Sequence, residues 1–353
     1  MRDWGREKSG GQSLWWPVVA RGKKSLTLDL RDEAGQDIIR ELIADTDILI
    51  ENFRPGTMER WGMGYDDLAE INPRLIMVRV TGFGQYGPYA GQPGYGSVGE
   101  AMGGLRYVVG DPSTPPSRIG ISIGDTMAAT FACVGALTAL HARERTGRGQ
   151  VVDSAIYEAV LGVMESLIPE YAITGYVRER TASIIPNVAP SNVHPSKDGQ
   201  NVLLAANQDT VFGRLATAMG QPELAADERY STHTARGVRQ QELDDLIGEW
   251  TSQYTSAELR KILVEHAIPT GPIYRAPEML DDAHFAARNA IITMTHPEFG
   301  ELPMQNVAPK LSDTPGEVRW VGPELGQHTR EVLADVLGKS DDEIDSLAEA
   351  GII

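Results

Sequence analysis

Polar and apolar positions set the elements of the N-terminal third. KSLTLDL (24–30) alternates polar and apolar residues and predicts a strand. The following RDEAGQDIIRELIADT puts Ile38, Ile39, Leu42 and Ile43 on one face of an amphipathic helix. DILIENF (47–53) predicts a second strand, and PGTMERWGM opens a helix with Pro55 in its first turn. YDDLAEINP gives a short helix stopped at Pro73, and RLIMVRVTG (74–82) a third strand. Strands that are apolar throughout, separated by helices, predict a parallel α/β sheet.

The periodicity then changes. Residues 79–104 are rich in glycine and read as a long loop. A strongly apolar helix is expected from about 125 to 145, ended by Arg143, Arg145 and Gly147, and QVVDSAIYEAVLGVMESLIPEYAITG (150–175) reads as another buried helix. The polar, proline-rich stretch that follows reads as a linker, QNVLLAAN (200–207) as a strand, 209–290 as mostly helical, and 296–316 as loop. Two helices close the chain. The expected organisation is a large domain beginning with 1–177, a linker at 178–191, a smaller α+β domain at 192–300, and a return to the large domain at 301–353.

Composition narrows the class. The chain has 353 residues, 41% hydrophobic and 23% charged, which suits a globular protein with real cores. It has no uninterrupted apolar run near 18 residues, so no membrane span is expected. The one cysteine, Cys133, excludes an internal disulfide, fits a reducing, cytoplasmic setting and reads as a buried inert thiol. Net charge is −17, which disfavours nucleic acid. Residues 1–60 are nearly neutral, with 10 Lys/Arg against 11 Asp/Glu, and are the natural place for an anionic ligand.

The candidate chemistry is sparse. Gly82, Gly84 and Gly87 spell the dinucleotide fingerprint after a good strand, but Pro88, Gly91, Pro93 and Gly94 follow, where the motif needs a helix. Such a loop can instead wall a ligand site. No histidine stands at metal-ligand spacing, so no metal is expected. YGSVG (95–99) has Tyr95 where a serine-hydrolase elbow needs glycine. Asp125 follows Gly124 at the head of the long apolar helix and reads first as an N-cap. A fixed carboxylate at a helix N-terminus can also act as a nucleophile.

RGKKSLTLDL, the run ILIENFRPGTMERWGMGYDDLAEINPRLIMVRVTGFGQYGPYAGQPGYGSVGEAMGG, the block ISIGDTMAATFACVGALTALHARERTGRGQVVDSAIYEAV and the ending LGQHTREVLADVLG closely resemble the class III CoA-transferases, the CaiB–BaiF group. That group includes formyl-CoA transferase, carnitine CoA-transferase and 2-methylacyl-CoA racemase. The likeness covers essentially the whole chain. It implies a Rossmann-like large domain made of both chain ends, a small domain, and two interlaced subunits in a ring-like homodimer.

The resemblance also implies roles. Asp125 stands at the position of the aspartate that attacks the acyl-CoA thioester. Tyr95 stands where the racemases carry histidine; tyrosine, with a pKa near ~10, is a poor proton shuttle and resembles the transferases. Contacts to coenzyme A carry over to Leu28, Arg31, Asn52, Phe53 and Arg60. Asn207 and Gln208, in AANQDT, stand where some members have a glycine loop over the site, and are substrate candidates. Family members begin with a further strand–helix unit ending in a GADVIKVE-like segment before RDWG. Its absence predicts an exposed sheet edge and leaves a truncated CoA-binding subunit, beside a racemase, as an alternative to CoA transfer.

Overall fold

The computed structural model describes residues 1–5 and 7–353. Its strands in chain order are β1 (Lys8–Ser9), β2 (Gln12–Ser13), β3 (Ile48–Glu51), β4 (Ile76–Thr81), β5 (Val151–Ala155), β6 (Ser191–Pro195), β7 (Asn201–Ala205), β8 (Thr270–Pro272), β9 (Ile291–His296) and β10 (Gly300–Gln305). They belong to two units. One comprises Met1–Gly99, Ile123–Val160 and Ala276–Ile353; the other comprises Glu100–Ser122 and Leu161–Arg275.

The first unit is organised by a parallel sheet in the order β3-β4-β5. The apolar run of β4 reflects cover on both faces, as parallel strands require. Leu75 and Met77 pack with Ile43, Met58, Met63 and Leu68 on one side. Ile76 and Val78 pack on the other side against Ala132, Ala136 and Ala139 of the helix Ile123–Thr146. Alanines repeated every three or four residues let that helix lie close to the sheet. At its far end the buried Arg143 donates to Asp47 Oδ1 at 2.7 Å and to the Arg74 carbonyl at 3.0 Å. The helix is thereby pinned beside the starts of β3 and β4, and its N-terminus lies towards their carboxyl ends, where open α/β sheets place their ligand sites.

Gly149, just before β5, shows how tightly the sheet edge is built. A methyl group there would lie 2.7 Å from the Arg74 carbonyl oxygen and closer still to that of Leu75. Gly149→Ala is expected to destabilise the protein by about 3 kcal/mol through overpacking. Urea unfolding read by circular dichroism checks this, and an unchanged midpoint would refute it.

The second unit carries an antiparallel sheet, β6-β7-β8. Val202 and Leu204 are buried while Leu203 is 44% exposed, the alternation of a sheet covered on one face. The helices Asp209–Ala218, Gln240–Thr251 and Ser256–Glu265 supply Phe212, Leu215, Leu243, Ile247, Leu259 and Leu263 to its core.

Several sequence expectations are corrected. Residues 24–30 join no ladder, because the backbone N–H groups of Ser25 and Thr27 are taken by His328 Nδ1 and Thr329 Oγ1 and that of Asp29 by the Ile352 carbonyl. The apolar stretch after 150 starts as β5 and continues as the helices Ile156–Leu161 and Leu167–Thr174; short apolar runs do not separate strand from helix by periodicity. The expected loop at 296–316 begins as the second half of the β9–β10 hairpin, with Leu302 and Met304 buried.

Cys133 is exposed, not buried. It lies off the alanine face of the helix Ile123–Thr146, near exposed Phe131, Val134 and Leu137. That helix is also long and apolar enough to cross a membrane by length and composition, with a mean hydropathy of 1.5 over an 18-residue window of which 28% is buried. Counting uninterrupted apolar residues missed it because Thr126, Thr130, Gly135 and Thr138 break the run without lowering its mean hydropathy much.

Candidate active site

The opening of the helix Ile123–Thr146 holds the candidate nucleophile of the first unit. Asp125 lies in its first turn, two residues inside the start, and not at the N-cap. The residue is exposed. The dipole of a helix favours a negative charge in its first turn by roughly 0.3–1 kcal/mol.

Gly96 faces this carboxylate. It opens the helix Gly96–Met102, immediately after Tyr95. A methyl group on Gly96 would lie 2.7 Å from Asp125 Cγ, 2.7 Å from Oδ1 and closer still to Oδ2. Three residues on, a methyl group on Gly99 would strike the side chain of Ile156. Gly96 and Gly99 share one helical face, so this turn rests with bare backbone on the aspartate and on Ile156. Tyr95 is 77% exposed, and its carbonyl accepts the N–H groups of Val98 and Gly99, which starts the helix.

The glycine loop serves the same arrangement. Gly82 and Gly94 meet backbone to backbone, with space for a Cβ on neither, so residues 82–94 close into a loop that delivers Tyr95 and Gly96. No helix starts within 82–87, the requirement a dinucleotide fingerprint would have to meet. Gly84 has φ +87° and lies beside Asp153, whose carboxylate accepts the Gln85 N–H at 2.9 Å. Burial holds the Asp153 carboxyl above its ordinary range, although this hydrogen bond works against the rise.

The residues expected to meet coenzyme A fall into two groups. Leu28 and Arg31 line an open groove of about 480 Å³ with Leu26, Leu325 and Ile352. The Arg31 guanidinium is engaged in a two-pronged pair with Asp29, at 2.9 Å and 2.6 Å, and holds that carboxyl down at about 2. Asn52, Phe53 and Arg60 lie in the segment after β3. Asn52 and Arg60 are exposed; Phe53 packs edge-on against Trp61 with ring centroids 5.2 Å apart, and Arg60 Nη2 donates to Thr57 Oγ1 at 2.9 Å.

Asn207 and Gln208 lie in the second unit, at the start of the helix Asp209–Ala218. The Asn207 carbonyl accepts Arg236 Nη2 at 2.8 Å, and Gln208 is exposed at the N-cap position without a capping side-chain bond. Fully buried Arg236 also bonds Asp209, the Tyr230 carbonyl and the Ala189 carbonyl, so the backbone under Asn207 is fixed.

Sequence reasoning missed Gly96 and the buried ion pair between Glu51 and Arg79, whose Nε donates to Oε1 at 2.6 Å. For Glu51 and Arg79 a signal existed: a charge inside each of two otherwise apolar strands, at corresponding ends. For Gly96 none did, since only the fold brings it to Asp125. Among the described residues no group of three or more His, Cys, Asp or Glu is placed to hold a metal.

Comparison with known proteins identifies the family. The family description CoA-transferase family III matches residues 1–329. The succinyl-CoA–D-citramalate CoA-transferase of Chloroflexus aurantiacus is 57% identical over 353 residues, covering 100% of this chain and 88% of that protein. The succinyl-CoA–L-malate CoA-transferase beta subunit of the same organism is 41% identical, again over 100% of this chain and 88% of its own length. The crystal structure of a CaiB/BaiF family protein from Brucella suis superimposes with a TM-score of 0.82 at 32% identity, covering 95% of this chain and 88% of that one. The chain belongs to CoA-transferase family III and is an enzyme of that class.

Proposed function

We propose that this enzyme moves CoA from an acyl-CoA thioester to a free carboxylic acid through Asp125. The observation that carries the reading is the exposed Asp125 carboxylate in the first turn of a helix, in a slot that Gly96 leaves open. A carboxylate oxygen of Asp125 attacks the acyl carbonyl carbon, the C–S bond breaks, and an aspartyl–acyl anhydride forms as CoA thiolate leaves. The thiolate attacks the aspartyl carbonyl, releasing the donor acid and leaving an aspartyl-CoA thioester. The acceptor carboxylate attacks that thioester, and the returning thiolate takes the acceptor acyl group, regenerating Asp125. One thioester is present at the start and one at the end, so no ATP is required. Backbone N–H groups at the very start of the helix Gly96–Met102, ahead of those that the Tyr95 carbonyl takes, can approach the reacting carbonyl closely and stabilise its oxyanion.

The relatives' names supply the substrate class: succinyl-CoA as donor, and a hydroxylated dicarboxylate of the citramalate or malate type as acceptor. Leu28, Arg31, Asn52, Phe53 and Arg60 hold CoA, the arginines on phosphate. Arg31 would exchange Asp29 for that phosphate. Tyr95 flanks the reacting group and argues against proton-shuttle chemistry at the α-carbon. Asn207 and Gln208 are the candidates for substrate contact that the second unit offers. The working form is an interlaced homodimer, for which the exposed Phe131, Val134 and Leu137 offer an apolar face of the kind subunits cover.

The test is intact mass after mixing with succinyl-CoA, with and without hydroxylamine, followed by peptide mapping. A hydroxylamine-sensitive adduct on Asp125 is expected. A protein that turns over without any adduct on Asp125 would sink the covalent route.

A further inference from the structure

Arg79 lies on β4 between two charged neighbours in register, Glu51 on β3 and Asp153 on β5. Its side chain is only 8% exposed and that of Glu51 only 2%. The guanidinium divides its donors. Nε bonds Glu51 Oε1 at 2.6 Å, while Nη1 and Nη2 bond the two oxygens of Glu59 at 2.5 Å and 3.2 Å. Glu51 ends β3, and Glu59 lies in the helix Thr57–Arg60. One buried cation therefore holds both ends of the segment 51–59. The other oxygen of Glu51 accepts the Phe53 N–H at 2.6 Å, fixing the chain just past Asn52. Phe53 in turn packs on Trp61, so the segment is closed a second time outside the ion pairs. Arg79 holds the Glu59 carboxyl below its ordinary range, in keeping with the two-pronged contact.

We propose that Arg79 is a positioning residue that clasps the segment 51–60 through Glu51 and Glu59, and so presents Asn52, Phe53 and Arg60 to CoA in a preformed arrangement. The proposal rests on the assignment of those three residues to the CoA site. A loop held at both ends has little freedom left to lose when ligand binds, and preorganisation of this kind appears as affinity. A clasp on the segment that meets CoA acts on binding and leaves the chemical step alone.

Two variants open the clasp without stranding the buried Glu51. Arg79→Lys keeps a cation beside Glu51 but has one nitrogen in place of the fork, so it cannot hold both carboxylates. Glu59→Ala removes the half-exposed partner and leaves the Arg79–Glu51 pair in place. Calorimetric binding of free CoA and steady-state kinetics with succinyl-CoA are measured on wild type and both variants, with thermal melts as a control. The expected result is a Kd for CoA and a donor KM raised about tenfold in each, with kcat within about threefold of wild type and no matching loss of folded protein. Wild-type protein that binds CoA, with both variants binding as tightly, overturns the clasp alone. Losses in kcat with unchanged Kd and KM would also overturn it. Wild-type protein that fails to bind CoA removes the CoA-site assignment, and the proposal with it.

Discussion

Asp125→Asn is expected to lower kcat for CoA transfer by about 10⁴-fold or more, with the Kd for CoA held within about twofold. The amide has nearly the shape of the carboxylate, so it fits the slot that Gly96 leaves beside it. It lacks a nucleophilic oxygen able to form the anhydride, and without that intermediate the thioester has no covalent route. The side chain is exposed and in the first turn of its helix, where the helix end favours a negative charge by roughly 0.3–1 kcal/mol. Steady-state rates combined with intact mass after succinyl-CoA check the prediction. Turnover retained within tenfold, or a hydroxylamine-sensitive adduct on the variant at another residue, would remove Asp125 from its role. Asp125→Ala, tested beside it, separates loss of the nucleophile from any slow reversion of asparagine to aspartate.

The parallel sheet was legible because its strands are covered on both faces and are therefore apolar without alternation, as in 76–78. The helix Glu33–Ile43 was legible for the complementary reason: Ile38 and Ile43 lie on a stripe that is buried in the fold. Residues 24–30 misled because alternation shows which side chains can share a face but does not supply a ladder partner; here side chains of His328 and Thr329 occupy the backbone donors. Cys133 misled for a related reason. An apolar neighbourhood in sequence predicts burial only if every face of the helix is covered within the chain, and the face bearing Phe131, Val134 and Leu137 is not. The candidate Asp125 could be singled out from its place at the head of an apolar helix, although it lies inside the first turn and not at the cap. The clasp on Glu51 and Glu59 could not be assembled from sequence, because nothing local says that an arginine at 79 reaches across to two residues in the preceding strand and helix.

Gly96→Ala tests whether the site depends on what is missing from a side chain. The glycine does not have a positive φ, so alanine can adopt its backbone without strain of the left-handed kind. It lies in the helix Gly96–Met102, where alanine is intrinsically the better residue by about 1 kcal/mol. On local grounds the substitution should be harmless or stabilising. The added methyl, however, falls 2.7 Å from Asp125 Cγ, well inside van der Waals contact, so the carboxylate has to swing away or the turn has to lift. Either movement displaces the nucleophile by about an ångström, and displacements of that size cost on the order of 10²-fold in rate. The expected outcome is a kcat lowered by about 10²- to 10³-fold, slow formation of the Asp125 adduct, CoA affinity held within about twofold, and a melting temperature equal to wild type or higher. That combination separates the variant from a damaged fold, in which rate and stability fall together. Full activity in Gly96→Ala would mean that Asp125 works from a different side-chain position, and the slot would lose its part in the mechanism.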